Sequence, residues 1–256
     1  MTKRRGTAVV TGASRGIGGA IARGLVAAGW GVIGTSRGEE GRASVEASGA
    51  RWHPLDVTRR DSVGTLAEAV PSLDALVNNA GVALDGFDAE VVQRTLAVNF
   101  HGAMHVTDAL LPAMGDGARI VMVSSGMGEL SGFSAPIRAG LEDPALDRDA
   151  LVTLVDSFYE AVCGGSHADH GWPSSAYRVS KAALNALVRV LDRELADDPR
   201  RIRVHAACPG WVATDMGGPS APRSPAEGAD TPIWLVADGT DAPSGRFFRD
   251  RRPIPF

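Results

Sequence analysis

The sequence predicts an α/β chain built as a doubly wound parallel sheet. Three observations carry that expectation. Short apolar runs of strand length alternate with stretches of helical periodicity along the chain, the rhythm of parallel βαβ units. A glycine-rich turn joins the first strand to the first helix. The chain has 256 residues, 44% of them hydrophobic, and α/β units of roughly 200–250 residues commonly share one core. No internal repeat or linker breaks it, so a single domain over residues 1–256 is expected.

Taken in order, Thr7-Ala8-Val9-Val10 is a strand that stops at Gly12. From Gly16 to Ala28, the residues Ile17, Ile21, Leu25 and Ala28 recur at helical spacing, and Gly29 closes the run. Val32-Ile33 opens a second strand, Trp52–Val57 is a third, Leu73–Val77 a fourth and Arg119–Val123 a fifth. Ile202–Ala207 is a sixth and Gly245–Phe248 a short seventh. The rhythm fails between the fifth strand and a strong helical pattern that begins near Ser175 and runs to Leu195. That stretch holds a helix around Asp149–Val162 and a loop rich in Gly and His, Gly164–Trp172. Structureless loops beyond about 15 residues are uncommon in compact domains. The stretch, about 130–174, is therefore expected to be a folded insertion over one face.

Composition excludes several classes. The net charge is −4, which offers nothing to nucleic acid. The arginine clusters at 3–5, 200–203 and 249–252 are short and broken by acids, and read as solvated faces and tails. Cys163 and Cys208 form neither a ligand spacing nor a disulfide framework. No run approaches the roughly 20 apolar residues that span a bilayer. The start, Met1 to Gly6, is basic without an apolar leader, so a cytoplasmic protein without a membrane partner is expected.

The turn after the first strand reads Thr11-Gly12-Ala13-Ser14-Arg15-Gly16-Ile17-Gly18. Strand, tight glycine turn and helix make the geometry that binds a pyrophosphate, because backbone N–H groups can approach the anion at the helix start. The same residues contain G-x-S-x-G, the nucleophile elbow of serine hydrolases, with Ser14 as nucleophile. Only eleven residues precede that motif, too few for the strands and oxyanion loop an elbow needs. Downstream, Tyr177 and Lys181 are four apart at the start of a helix, so both project from one face. An ammonium beside a phenol favours phenolate, and the pair would serve as a proton donor and acceptor.

Around that pair the sequence resembles the short-chain dehydrogenase/reductase family. The resemblance rests on Thr11-Gly12 through Gly18, Asn78-Asn79-Ala80-Gly81, Val98-Asn99-Phe100-His101-Gly102, Val123-Ser124-Ser125, Tyr177 with Lys181, and Pro209-Gly210 with Thr214. Within the family the chain is most similar to the monomeric carbonyl reductases. Gly171-Trp172-Pro173-Ser174-Ser175-Ala176-Tyr177 and Cys208-Pro209-Gly210-Trp211-Val212 carry that likeness, and Ser125 and Tyr177 lie 52 positions apart where typical members keep them close. The fold implied is a single-domain Rossmann-type sheet whose insertion covers the helices that other members use to oligomerise, hence a monomer.

The resemblance also implies the chemistry: reversible hydride transfer between NADPH and a ketone, aldehyde or quinone, with no metal. Tyr177 would give the proton, Lys181 would lower its pKa and hold the nicotinamide ribose, Ser125 would polarise the substrate oxygen, and Asn99 would carry a water-linked proton path. Gly12, Ser14, Arg15, Gly16, Ile17 and Gly18 would line the phosphates. Asp56 and Val57 would sit at the adenine, Asn79, Ala80 and Gly81 along the adenosine and ribose, and Pro209, Gly210, Val212 and Thr214 beside the nicotinamide. The second strand ends Thr35-Ser36-Arg37-Gly38 with no acid until Glu39. Arg37, Arg15 and Ser36 would therefore clamp a 2′-phosphate and select NADP. A protein that binds NADP(H) without turnover is the alternative. Met127, Phe133, Trp172, Trp211 and Met216 are candidates for an apolar substrate pocket or for core, and His167 and His170 for a loop at the substrate mouth.

Overall fold

A computed structural model describes residues 5–238 and 241–256. The first four residues of the basic start lie outside the described residues. Eight strands form one sheet: β1 (Thr7–Val10), β2 (Gly31–Ser36), β3 (Arg51–Pro54), β4 (Leu73–Asn78), β5 (Met114–Val123), β6 (Arg203–Ala207), β7 (Arg246–Arg249) and β8 (Arg252–Ile254). Their order is β3-β2-β1-β4-β5-β6-β7-β8. All pair in parallel except β7 with β8. The seven strands read from the sequence are all present. The third is shorter than read, ending at Pro54, and the fifth begins five residues earlier.

Side chains alternate across the strands, so each face of the sheet buries its own core. Ala8 and Val10 pack with α1 (Gly16–Ala27), α2 (Arg42–Ala47) and α9 (Pro225–Ala237). Val9 packs with α3 (Arg60–Ala69), α4 (Ala89–Leu96), α5 (Ala103–Leu110) and α8 (Ala176–Glu194). Helices on both faces are what an all-parallel sheet requires.

The insertion is folded. It contains α6 (Ala135–Glu142), an eight-residue helix with no counterpart in the sequence reading, and α7 (Arg148–Cys163). Asp147 caps α7 by accepting from the Ala150 N–H at 2.8 Å. Leu151, Val155, Phe158 and Ala161 form its buried stripe, and the helix packs against α4 and α8. Arg148 pins it by pairing with Asp108 of α5 and Glu194 of α8. Phe158 sits 5.2 Å from Trp172 and 6.3 Å from Phe87, ring to ring.

Two arginine clusters differ from the solvated surface expected of them. Arg200 is folded onto Asp198 and donates to the carbonyls of Leu111 and Met114. Arg249–Arg252 carries the β7–β8 turn, in which Asp250 and Arg251 have φ of 51° and 60°. Arg251 there pairs with Asp230. Both turn residues are left-handed without a glycine or asparagine to announce it, so nothing in the sequence marked the hairpin.

Removing the aromatic anchor of the insertion checks this packing. Phe158→Ala should cost about 3–5 kcal/mol, the range for deleting a fully buried ring, measured by urea denaturation. A loss below about 1 kcal/mol would show that α7 is not part of the core.

Candidate active site

The chain leaves β1 for one face of the sheet and β4 for the other, which opens a crevice at their carboxyl ends. Open α/β sheets bind ligands at such a switch point. The β1–α1 turn lies on one side of it. Gly12 and Gly16 have φ of 65° and 55°, values that L side chains rarely adopt. A Cβ on Gly18 would run into the Gly12 carbonyl. Arg15, the N-cap of α1, makes no side-chain cap bond, and the first turn holds no acid, so its N–H groups face the crevice unscreened. Thr11 holds the other side in register. Its hydroxyl accepts from the N–H groups of Asn79 and Ala80, each at 2.9 Å, and the Asn79 amide donates back to the carbonyls of Thr11 and Gly12.

Asn99 lies in a π-helical turn, Ala97–Gly102, between α4 and α5. Its carbonyl oxygen accepts from Val82 N–H at 2.8 Å, and its amide donates to Val82 O and to Ser180 Oγ. The side chain is thus committed to holding the turn after β4 against α8, and Gly81 passes beside it. Val57 is buried and packs against Gly102 of the same turn.

The chemical group sits on α8 and the end of β5. Ser175 caps α8 by accepting from Arg178 N–H, which places Tyr177 and Lys181 on one face of its first turns. The Lys181 ammonium lies 5.6 Å from the centre of the Tyr177 ring and donates to the Val123 carbonyl at 2.9 Å. Of the paired serines, Ser124 is buried with its hydroxyl 3.5 Å from the Lys181 carbonyl. Ser125 is the one whose hydroxyl acts on the Tyr177 phenol, and it accepts from Met127 N–H at 3.2 Å.

The electrostatics differ from the sequence expectation. Lys181 was expected to pull the phenol pKa down, yet Tyr177 lies above its ordinary value. Burial pushes it up, the Ser125 hydroxyl pulls it part of the way back, and the Cys208 thiol adds to the rise. Lys181 is itself so buried that its ammonium comes down to about 8, a change that Cys208 opposes.

The remaining residues fall around the same crevice. Ser36, at the end of β2, donates to Gly38 O at 2.9 Å and accepts from Trp52 Nε1 at 2.8 Å. Arg37 is exposed beside Asp56, whose carboxyl burial raises, but hydrogen bonds from Thr58 and the charges of Arg37 and Arg59 bring it below its usual value. After β6, Pro209 and Gly210 lead into Val212 and Thr214. Thr214 packs on Gly16, and Asp215 pairs with Arg15 at 2.9 Å. Arg15 is thus bound to the loop after β6, a link with no sequence signal. Ser14 stays in the turn and Ile17 lies in the first turn of α1, and no histidine hydrogen-bonds Ser14 among the described residues. Phe133 and Trp172 are core, whereas Met127, Trp211 and Met216 are exposed. The His167 ring lies tilted against Phe87 at 4.8 Å and bonds Ser174, and His170 bonds the Ser166 carbonyl.

With this geometry in view, comparison with known proteins decides the family. Residues 6–137 match the family model for short chain dehydrogenase, and residues 161–231 that for enoyl-(acyl carrier protein) reductase. The chain belongs to the short-chain dehydrogenase/reductase family. The gap between the two matches, residues 138–160, takes in most of α6 and α7. The chain is 36% identical to carbonyl reductase [NADPH] 1 of Rattus norvegicus and 38% to that of Mus musculus, each aligned over all of both chains. The salutaridine reductase structure from Papaver somniferum superposes with a TM-score of 0.87 at 31% identity, over 97% of this chain and all of that one. No helix of the described residues is long and apolar enough to cross a membrane.

The buried lysine of this family member makes its stability depend on pH. The folded value of about 8 lies below the ordinary 10.5, so between those values the unfolded chain binds more protons and stability rises with pH. Below pH 8 the charge is buried at full cost. Lys181→Met should therefore exceed the wild type in stability at pH 7 by on the order of 3 kcal/mol, and the gap should close by about pH 10.5. A gap independent of pH, by denaturant titration, would contradict a depressed lysine.

Proposed function

We propose that the chain is an NADPH-dependent carbonyl reductase in which Tyr177 is the proton donor. One observation carries the reading: a phenol kept protonated by burial, beside the Ser125 hydroxyl and sharing a helix face with a buried ammonium. A neutral phenol is the form that donates to a carbonyl oxygen. Ser125 shares that oxygen as a second hydrogen-bond donor and polarises the bond. Two of the three Lys181 N–H donors remain after the bond to Val123, which suits them to a pair of ribose hydroxyls. With the Asn99 side chain engaged, the water link assigned to that residue falls to its main chain.

The crevice fits a dinucleotide phosphate on its own terms. Left-handed Gly12 and Gly16, a Gly18 without room for a Cβ and an uncapped α1 terminus form a cradle for the pyrophosphate. Arg37, exposed at the end of β2 with no acid beside it on the strand, is the cation for a 2′-phosphate, and Asp56 and Val57 border the adenine side. Asn79, Ala80 and Gly81 follow the ribose, and Pro209, Gly210, Val212 and Thr214 the nicotinamide. When bound, NADPH supplies the hydride, so the protein's share of the chemistry is position and charge. The rat and mouse relatives are NADPH carbonyl reductases by name, in line with this reading. The exposed Met127, Trp211 and Met216 favour an apolar carbonyl substrate. The cover that α7 gives to α4 and α8 supports a single-chain enzyme.

NADPH oxidation with a panel of aldehydes, ketones and quinones tests the function. Turnover is expected with at least one apolar carbonyl, and Tyr177→Phe should abolish it while still binding NADPH. Wild-type binding without turnover on any member would mark the protein as a silent NADP(H) binder, and full activity in the phenylalanine variant would refute the mechanism.

Arg37→Asp tests the cofactor preference. It should weaken NADPH binding at least tenfold more than NADH, since a charge-assisted contact to phosphate becomes a repulsion. An unchanged ratio of the two dissociation constants would remove Arg37 from the site.

A further inference from the structure

Arg249 lies at the end of β7, outside every motif that points to the site. Its guanidinium is half-buried. Nε donates to the Cys208 sulfur at 3.3 Å, and Nη2 reaches Glu129 Oε1 at 3.4 Å. Cys208 is the last residue before the Pro209-Gly210 turn, and Glu129 follows the short helical turn that Ser125 caps. The same guanidinium fills the space where a Cβ of Gly126 would stand. One side chain thus touches both loops that flank the Tyr177 phenol.

The backbone around it leaves the two loops otherwise lightly joined beyond the strands. Ser124 N–H donates to Ala207 O, and Cys208 N–H to Phe248 O. After those bonds the β5 chain turns toward Ser125 and the β6 chain toward Gly210. On the far side of Glu129, Leu130 N–H donates to the Phe256 carbonyl at 3.4 Å. The Phe256 ring stacks on Phe247 and lies under the Arg189 guanidinium. The β7–β8 hairpin therefore holds the Ser125 loop from two points. We infer that Arg249 is a positioning residue, a three-way clamp that sets the spacing between the Ser125 loop and the Cys208-Pro209-Gly210 turn.

This inference rests on the proposed reaction, because spacing matters there only if Ser125 and Tyr177 share one substrate oxygen. Displacing such groups by about 1 Å can cost on the order of 100-fold in rate. Arg249 touches neither the phosphate turn nor the end of β2, so loss of the clamp should spare the dinucleotide.

The test compares Arg249→Met, Arg249→Lys, Glu129→Ala and the Arg249→Met/Glu129→Ala double variant. The substrate is 4-nitrobenzaldehyde, or the best member of the panel above. The methionine variant should lose about 10- to 100-fold in kcat, with the NADPH dissociation constant within about twofold of wild type. Lysine should recover part of the loss. Glu129→Ala should cost about two- to fivefold, as for a partly exposed ion pair, and the double variant should be no worse than Arg249→Met alone. Hydrogen exchange supplies a readout that needs no turnover. Amides of 126–130 and of Cys208, Gly210 and Trp211 should exchange faster in Arg249→Met, while those of β1 and β4 keep their protection. Faster exchange in an enzyme inactive on the whole panel would keep the clamp and sink the reductase reading. Unchanged exchange in both loops, an unchanged kcat or additive losses in the double variant would overturn the clamp. Should the methionine variant fail to fold, Glu129→Ala alone decides by the same readouts.

Discussion

The bond from the Lys181 ammonium to the Val123 carbonyl is the constraint on which the site depends. It ties the first turns of α8 to the last residue of β5. The proposed proton donor and its serine partner lie within a few residues of that bond. Ser125 comes two positions after Val123, and Tyr177 one helical turn before Lys181. Burying an ammonium is unfavourable, and the drop of Lys181 to about 8 is the measure of that cost here. The rest of the fold must offset it. Thirteen residues of α8 are buried, and this helix packs on β5, β6 and the π-helical turn. The helix that bears the least favourable charge is thus the one most deeply embedded.

The insertion extends the same logic outward. With α7 docked through its apolar stripe and through Arg148, α8 is covered on its outer side by the chain itself. A large exposed apolar face marks an interaction surface. Here residues between the two family matches provide the cover. Architecture and catalysis are coupled, since Trp172 and Pro173, which close the insertion, run directly into the Ser175 cap and Tyr177.

Much of this was legible in the residues. Strand length and helical period identified seven of the eight strands, and the spacing of Tyr177 and Lys181 placed both on one helix face. The choice of Ser125 over Ser124 came from the family resemblance. What escaped the sequence shares a physical character. The β7–β8 hairpin turns through left-handed Asp250 and Arg251, with no glycine or asparagine at either position. Helix α6 is only eight residues long. The contacts Arg15–Asp215 and Arg249–Cys208 join residues 200 and 41 positions apart, and spacing along a chain says nothing about such pairs. The direction of the Tyr177 shift was also out of reach. Proximity of lysine was visible, whereas burial, which raises the phenol, is a property of the packed fold.

That reversal bears on how the site would work. A phenol lowered toward neutrality by lysine would be half ionised at working pH and serve donation and abstraction alike. A phenol raised by burial is protonated across the neutral range, ready to donate to a carbonyl and poor at accepting from an alcohol. Alcohol oxidation needs the phenolate, which becomes common only as pH climbs past that raised value. Burial also brings Lys181 down to about 8, so both shifts come from the packing that encloses the pair. In the proposed reaction, a phenol held protonated in this way suits donation to a carbonyl.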